Sequence, residues 1–382
     1  VPSTRLDPAH TDRRIPELDG LRALASVAIV LYHANPKRVP CGWAAVDVFF
    51  VLSGFLITGI ILRHGRQPGF LRDFYIRRSL RIWPIYYLTI ALFVGLNPWL
   101  AAPQNFAALP WDLTYTQNLP LYWTDRMPVF SRYLRHTWTL AIEEQFYLLW
   151  PLAVLVAMRL RAVAVLGLAV VAGCVYVRST GLSLMTLASR GDGLALGGLL
   201  ALLVESCHSA ASQRWLARGL SLAILAGATG ILTLSMTVGL KLPQGPPPWP
   251  ALTILAINLM AVGLVGRAVV SSGSGSWSAR FLRLPRLQAV GRMGYGLYLY
   301  HLPILLLSGD IARHFGRRGQ PFWREGPTLA LCFLAAWASW RWIETPCLRL
   351  AHRLAPRRSA SPGVPASHSV RTPDPPQTAS TA

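Results

Sequence analysis

The chain has 382 residues, 53% of them hydrophobic and only 14% charged, with 37 Lys and Arg against 16 Asp and Glu for a formal net charge of +21. Soluble domains carry roughly a quarter charged residues, so this composition excludes an ordinary water-soluble enzyme. It also excludes a nucleic-acid binder, whose cations form a stripe on a solvated domain, because here the cations sit between long apolar runs.

The first fourteen residues are polar and basic and read as a cytoplasmic N-terminal segment. No small-residue cleavage site follows the first apolar run, so a removable signal peptide is not expected. Apolar runs then give ten candidate membrane helices, near 18–34, 43–62, 83–101, 138–158, 162–178, 187–204, 217–239, 251–270, 289–308 and 327–345. Each is long enough to cross a hydrocarbon layer of roughly 30 Å at about 1.5 Å per residue. The expected fold class is all-α, a polytopic membrane helical bundle with about ten transmembrane helices.

Between these runs, residues 102–137 are rich in aromatics and Pro and are expected to form a partly structured cap at the membrane interface. KLPQGPPPWP at 241–250 reads as a turn, SSGSGSWS at 271–278 as a flexible linker, and 355–382 as a disordered cytoplasmic tail. Placing the N-terminus inside puts the dense basic stretches RHGRQPGFLRDFYIRRSLR and RLAHRLAPRR on the cytoplasmic side, as the positive-inside rule favours. Five scattered cysteines at 41, 174, 207, 332 and 347 form no C-x-x-C pair, so neither a disulfide framework nor a metal site is expected.

Ionisable groups inside membrane helices are costly, which makes them functional candidates. Arg22 and His33 are eleven positions apart, about three turns, so they share one helix face roughly 16 Å apart along the axis. A neutral imidazole can take a proton from an attacking hydroxyl. The alternative is that Arg22 reaches the headgroups and His33 caps the helix. Asp47, at the start of the second run, either orients His33 as a carboxylate or caps its own helix. Ser53 and Gly54 read as a packing pair.

Arg78 and Arg81, three apart with Trp83 nearby, can grip the phosphates of a nucleotide-bearing donor or hold anionic lipids. His136, Glu143, Glu144, Gln145 and Tyr147 enter one run together. Glu143 and Tyr147 share a face, whereas Glu143 and Glu144 diverge by about 100°, so one glutamate at most is expected to face a central cavity. Arg190 with Asp192, the group Tyr295, Tyr298 and His301, and Arg341 with Glu344 read individually as packing or structural pairs.

Taken together, LDGLRALA…LYH, VDVFFVLSGFLI, RRSLRIWP, WTLAIEEQFYLLWP, Arg190-Gly-Asp192, GYGLYLYHLP and WRWIETP resemble the acyltransferase 3 family of integral membrane O-acyltransferases over about residues 15–350. The resemblance implies transfer of an acyl group, commonly acetyl from acetyl-CoA, to a hydroxyl of a carbohydrate or glycosylated acceptor. It marks Arg22, His33, Arg78, Arg81 and Glu344 as the important positions. With the reading of the residues, it gives His33 as general base and Asp47 or Glu143 as its orienting carboxylate. Arg22, Arg78, Arg81 and Glu344 are expected on the donor side. Acyl-CoA is the expected donor substrate, with no permanently bound cofactor, in a bacterial plasma membrane with both termini cytoplasmic. Some family members carry an extra esterase-like domain. The short tail leaves no room for one, so the chain is expected to complete transfer itself or to pass the acyl group to a separate protein. The competing expectation is a proton-coupled transporter of a small polar solute, because lines of intramembrane His, Arg and Glu also make translocation paths.

Overall fold

The computed structural model describes residues 15–101, 104–238, 248–315 and 325–356. The N-terminal segment, most of the Pro-rich turn at 241–250 and nearly all of the tail lie outside the described residues. Among those described, all regular structure is helical.

The chain begins with α1 (Pro16–Ala34), where Pro16 opens the first turn and Glu17 and Asp19 face the amide-rich helix start. Next come α2 (Ala45–His64), with Arg63 and His64 in its last turn, and α3 (Phe70–Leu96), entered through Gly69 in the left-handed region at φ 76°. The described part of the segment between α3 and α5 consists of short helical turns that include α4 (Leu109–Leu113), with no further long helix. Then follow α5 (Trp138–Arg159), α6 (Val163–Ser179), α7 (Leu187–Ser206), α8 (Ala210–Val238) and α9 (Trp249–Val270). Two short helices, α10 (Trp277–Leu282) and α11 (Pro285–Arg292), precede α12 (Gly294–His314) and α13 (Glu325–Ser339). A π-helical turn over Trp340–Glu344 leads into α14 (Thr345–Leu354).

Among the described residues, six helices are long and apolar enough to cross a membrane: those carrying α2, α3, α5, α7, α8 and α9. This does not confirm the expected count of about ten. The chain is helical at all ten expected places, but α6 is short at 17 residues, α1 carries Glu17, Asp19, Arg22 and His33, and α13 is described over only 15 residues. Polar groups concentrated in α1 and α12 lower the hydropathy of the helices that line the interior, which is the physical reason they escape the length-and-apolarity criterion.

The tightest interior contact is between α2 and α7. A Cβ at Gly54 would collide with the carbonyl oxygen of Leu194, and one at Gly197 would collide with that of Val51. Small residues at these positions let the two backbones touch, as expected for Ser53-Gly54 as a packing element. The core around this contact is built from Val48, Val51, Leu52, Phe55, Leu200 and Val204.

The linker expected at 271–278 is instead held. Buried Glu17 accepts hydrogen bonds from Ser272 Oγ at 2.9 Å and the Gly273 amide at 3.1 Å, and lies 3.5 Å from Arg283 Nε. A Gly/Ser-rich composition signals flexibility only where no partner collects its donors, and here a buried carboxylate does.

Candidate active site

A cavity of about 610 Å³ opens at the Arg22 end of α1, between α1, α2, α3, α7, α11 and α14. Arg22, Arg63, Arg77, Arg78, Arg81 and Arg292 all line it. Some of this charge is matched locally: Arg22 Nη1 lies 3.3 Å from Asp19 Oδ1, Arg63 pairs with Glu205, and Arg77 donates to the Ala355 carbonyl at 3.0 Å. Arg22, Arg78 and Arg81 nevertheless stand close enough to act on one another electrostatically. A cationic excess gathered in a concave, partly apolar site is complementary to a polyanion. The structure thus brings Arg22, Arg78 and Arg81 together from two helices, as expected, and adds Arg63 and Arg292, which the sequence did not single out.

Arg78 is held on aromatic faces, its guanidinium 5.8 Å from the Phe74 ring centroid and 5.2 Å from that of Tyr147. Beside it, Tyr147 donates its hydroxyl to Ser53 Oγ at 3.0 Å, and Ser53 donates to Glu143 Oε1 at 2.8 Å. Glu144 turns the other way and accepts from Trp83 Nε1 at 2.9 Å. The two adjacent glutamates are splayed as helix geometry requires. Glu143 is accordingly committed to Ser53 and the Arg78 side of the bundle, which corrects its expected role as the carboxylate orienting His33.

Asp47 corrects the other half of that expectation. Both of its oxygens accept from Arg190 Nη2 at 2.8 Å, and each of the two side chains is almost fully buried. Arg178 likewise pairs with Asp192 at 2.7 Å and donates to the Ser189 carbonyl at 2.6 Å. Arg190 and Asp192 are thus not partners of each other. Each finds its counter-ion on another helix, because burial of a charge demands an opposite charge at the same depth and residues two apart on a helix point to different sides.

His33 sits at the other end of α1 among aromatic and imidazole rings. Its Nδ1 lies 3.0 Å from the Ile29 carbonyl and 3.2 Å from His301 Nε2. The ring centroids of His33 and His301 are 4.9 Å apart, and His136 stands 5.2 Å from His301. Tyr298 donates to the His136 carbonyl at 2.9 Å and also meets Thr139. In the sequence His136 and His301 stand only as members of polar runs; packing of α12 against both α1 and the turn Arg132–Thr137 brings them to His33.

Ser26 is a further polar residue on this face of α1 that the polar patterning does not single out. It is 1% exposed, its Oγ has no hydrogen-bond partner, and it faces Gly294, where a Cβ would lie 3.0 Å from that oxygen. At four residues after Arg22 and seven before His33 it falls within about 40° of both on the helix circumference. That four-and-seven spacing was legible in the sequence.

Glu344 does not line the cavity. The π-helical turn carries its carboxylate inward against Gly296, where a Cβ would lie 2.9 Å from Oε1, and Ser339 Oγ donates to it at 3.3 Å. It acts electrostatically on Arg81. Glu344 thus stands next to the arginine group expected on the donor side without lining the cavity itself.

Residues 15–341 match the acyltransferase 3 family model, described as an acyltransferase domain. The chain is 30% identical over 363 residues to the peptidoglycan O-acetyltransferase OatA of Listeria monocytogenes, covering 88% of this chain and 56% of that protein. It is 28% identical over 370 residues to the O-acetyltransferase OatA of Staphylococcus aureus, covering 90% of this chain and 58% of that protein. A putative O-acetyltransferase of the same organism is 27% identical over 358 residues, covering 87% and 57%. The chain thus spans somewhat over half the length of the curated relatives it matches. No solved structure matches it. The six helices long and apolar enough to cross a membrane make it an integral membrane protein. The chain belongs to the acyltransferase 3 family of acyltransferase domains.

Proposed function

We propose that this domain transfers an acetyl group from acetyl-CoA to a hydroxyl of a carbohydrate acceptor, working in a bacterial plasma membrane with its basic end toward the cytoplasm. The observation that carries this reading is the alignment on α1 of a basic cavity at Arg22 with an imidazole at His33, joined by one continuous face through Ser26. The pyrophosphate and ribose phosphate of CoA are the polyanion that suits Arg22, Arg78, Arg81 and Arg292. The pantetheine arm is of a length comparable to the roughly 16 Å between Arg22 and His33 along the helix axis.

In this reading the acceptor hydroxyl loses its proton to His33 as its oxygen attacks the thioester carbonyl. The tetrahedral oxyanion collapses, the carbon–sulfur bond breaks, and the proton held by the imidazolium passes to the departing thiolate. The relatives are named for acetylation of peptidoglycan in one case and O-acetylation in the others, which favours a cell-envelope glycan as the acceptor here. Family membership removes the support for a proton-coupled carrier.

The test is to reconstitute the wild type and His33→Ala in vesicles with labelled acetyl-CoA and glycan fragments. Label entering glycan through the wild type alone supports the reading, and equal labelling by both proteins overturns it.

A further inference from the structure

We infer that His301 is the positioning residue of His33, fixing by hydrogen bonding the tautomer that leaves His33 Nε2 free to act as base. The inference rests on the reading of His33 as the base.

His301 Nδ1 lies 3.2 Å from the Leu297 carbonyl oxygen and 2.5 Å from that of Tyr298. A carbonyl oxygen only accepts, so Nδ1 carries the proton. In the neutral ring Nε2 then carries a lone pair, and it faces His33 Nδ1 at 3.2 Å. His33 Nδ1 also faces the Ile29 carbonyl at 3.0 Å. With two lone pairs in front of it, that nitrogen must hold a hydrogen, which leaves the lone pair of His33 on Nε2. One arrangement of protons satisfies every contact, and it is set by backbone carbonyls of α12 that do not titrate.

The arrangement performs the task that a carboxylate performs in hydrolytic triads, with a neutral acceptor in its place. When His33 takes a proton at Nε2, its Nδ1–H becomes a stronger donor and the bond to His301 tightens. The new charge is then shared toward the carbonyl oxygens behind His301. A neutral partner suits this position because Asp47 is bound to Arg190 and Glu143 to Ser53. It also suits a His301 side chain that is fully buried, where a lone carboxylate would be costly to keep charged. Ordinary ring packing does not require the two nitrogens to meet at hydrogen-bond distance, nor a second backbone contact to set the proton of the outer ring.

The test uses the full chain in lipid nanodiscs. His301→Gln keeps an oxygen that can accept from His33, whereas His301→Leu removes the acceptor at similar volume. Expected are an unchanged KM for acetyl-CoA in both, a kcat about a hundredfold lower in His301→Leu, and recovery of most of that loss in His301→Gln. Equal activity of His301→Leu and wild type, or equal loss in both variants with the donor KM unchanged, overturns the inference. A second measurement needs no variant at position 301. Nitrogen-15 spectra of histidine-labelled wild type, with the His33 signals identified by their loss in His33→Gln, are expected to show Nδ1 protonated. A protonated Nε2 on neutral His33 overturns the inference whatever the kinetics of the variants. Full activity of His33→Ala would remove the base assignment, and the spectrum would still decide the hydrogen-bond arrangement by itself.

Discussion

Asp47 grips Arg190 through both carboxylate oxygens at 2.8 Å, across 143 residues of sequence, with neither side chain reached by solvent. Beside it the second pair, Arg178 with Asp192, is equally buried. These four groups tie α2, α6 and α7 together and commit both of these aspartates to arginines. Removing one partner strands a buried charge, so Asp47→Ala and Arg190→Ala are each expected to cost about 3–5 kcal/mol and to lower the melting temperature in detergent. The double variant Asp47→Leu with Arg190→Leu is expected to recover much of that loss, which a double-mutant cycle on thermal unfolding measures. A deficit in the double variant equal to the sum of the single deficits would show that the two side chains do not stabilise as a pair.

The arginine cavity makes a separate prediction for the donor. Arg78→Ala and Arg81→Ala are each expected to weaken CoA binding by about ten- to a hundredfold, the equivalent of one charge-assisted hydrogen bond of about 1.5–3 kcal/mol. Arg81→Lys is expected to restore only part of the affinity, because an ammonium lacks the planar fork that meets a phosphate through two bonds. Titration calorimetry with CoA against nanodisc-embedded protein checks both. Unchanged affinity in Arg78→Ala and Arg81→Ala would place the donor elsewhere.

Ser26 supplies a steric test of the route along α1. Ser26→Ala removes a buried hydroxyl that has no partner and is expected to leave the melting temperature unchanged or slightly raised. Ser26→Leu places extra carbons against Gly294 and is expected to lower acetyl transfer by at least about tenfold, or ~1.4 kcal/mol of activation free energy, while CoA still binds at the basic end. Transfer assays beside CoA titration separate the two effects. Full activity in Ser26→Leu would show that the acyl group reaches His33 by another path.

The segment between α3 and α5 predicts a pH dependence. Asp112 in α4 is 4% exposed, and burial pushes its carboxyl up to about 7, partly opposed by the backbone hydrogen bond from Phe130. An unfolded aspartate titrates near 3.9, so between roughly pH 4 and 7 the folded state holds more protons than the unfolded one. Stability associated with this group is therefore greatest at low pH, falls as pH rises to about 7, and is flat above it. Asp112→Asn is expected to abolish that slope and to raise the melting temperature at pH 8 relative to wild type. Melting curves of both proteins from pH 5 to 8 check the sign, and parallel curves would contradict it.

What could be read from the sequence was whatever a single helix encodes. The shared face of Arg22 and His33, the grouping of Arg78 with Arg81, and the divergence of Glu143 from Glu144 all follow from 3.6 residues per turn. Partnerships between helices could not be read this way. Asp47 at the right depth is equally suited to His33, to a helix terminus or to any arginine on a neighbour, and only packing of α2 against α7 selects Arg190. The position of Glu344 depends on a π-helical turn, which adds a residue to the helical circuit and redirects every side chain after it. Composition alone makes the Gly/Ser-rich connection look flexible, because its partner, Glu17, lies more than 250 residues away.

That same contact limits how the protein can work. Glu17 ties the beginning of α1 to the turn after α9, and His33 ties its far end to α12. The helix carrying both the first arginine and the imidazole is thus moored at each extremity. In the proposed reaction, a helix moored in this way favours delivery of the acetyl group to the imidazole by travel of the donor's flexible arm over sliding of the helix itself.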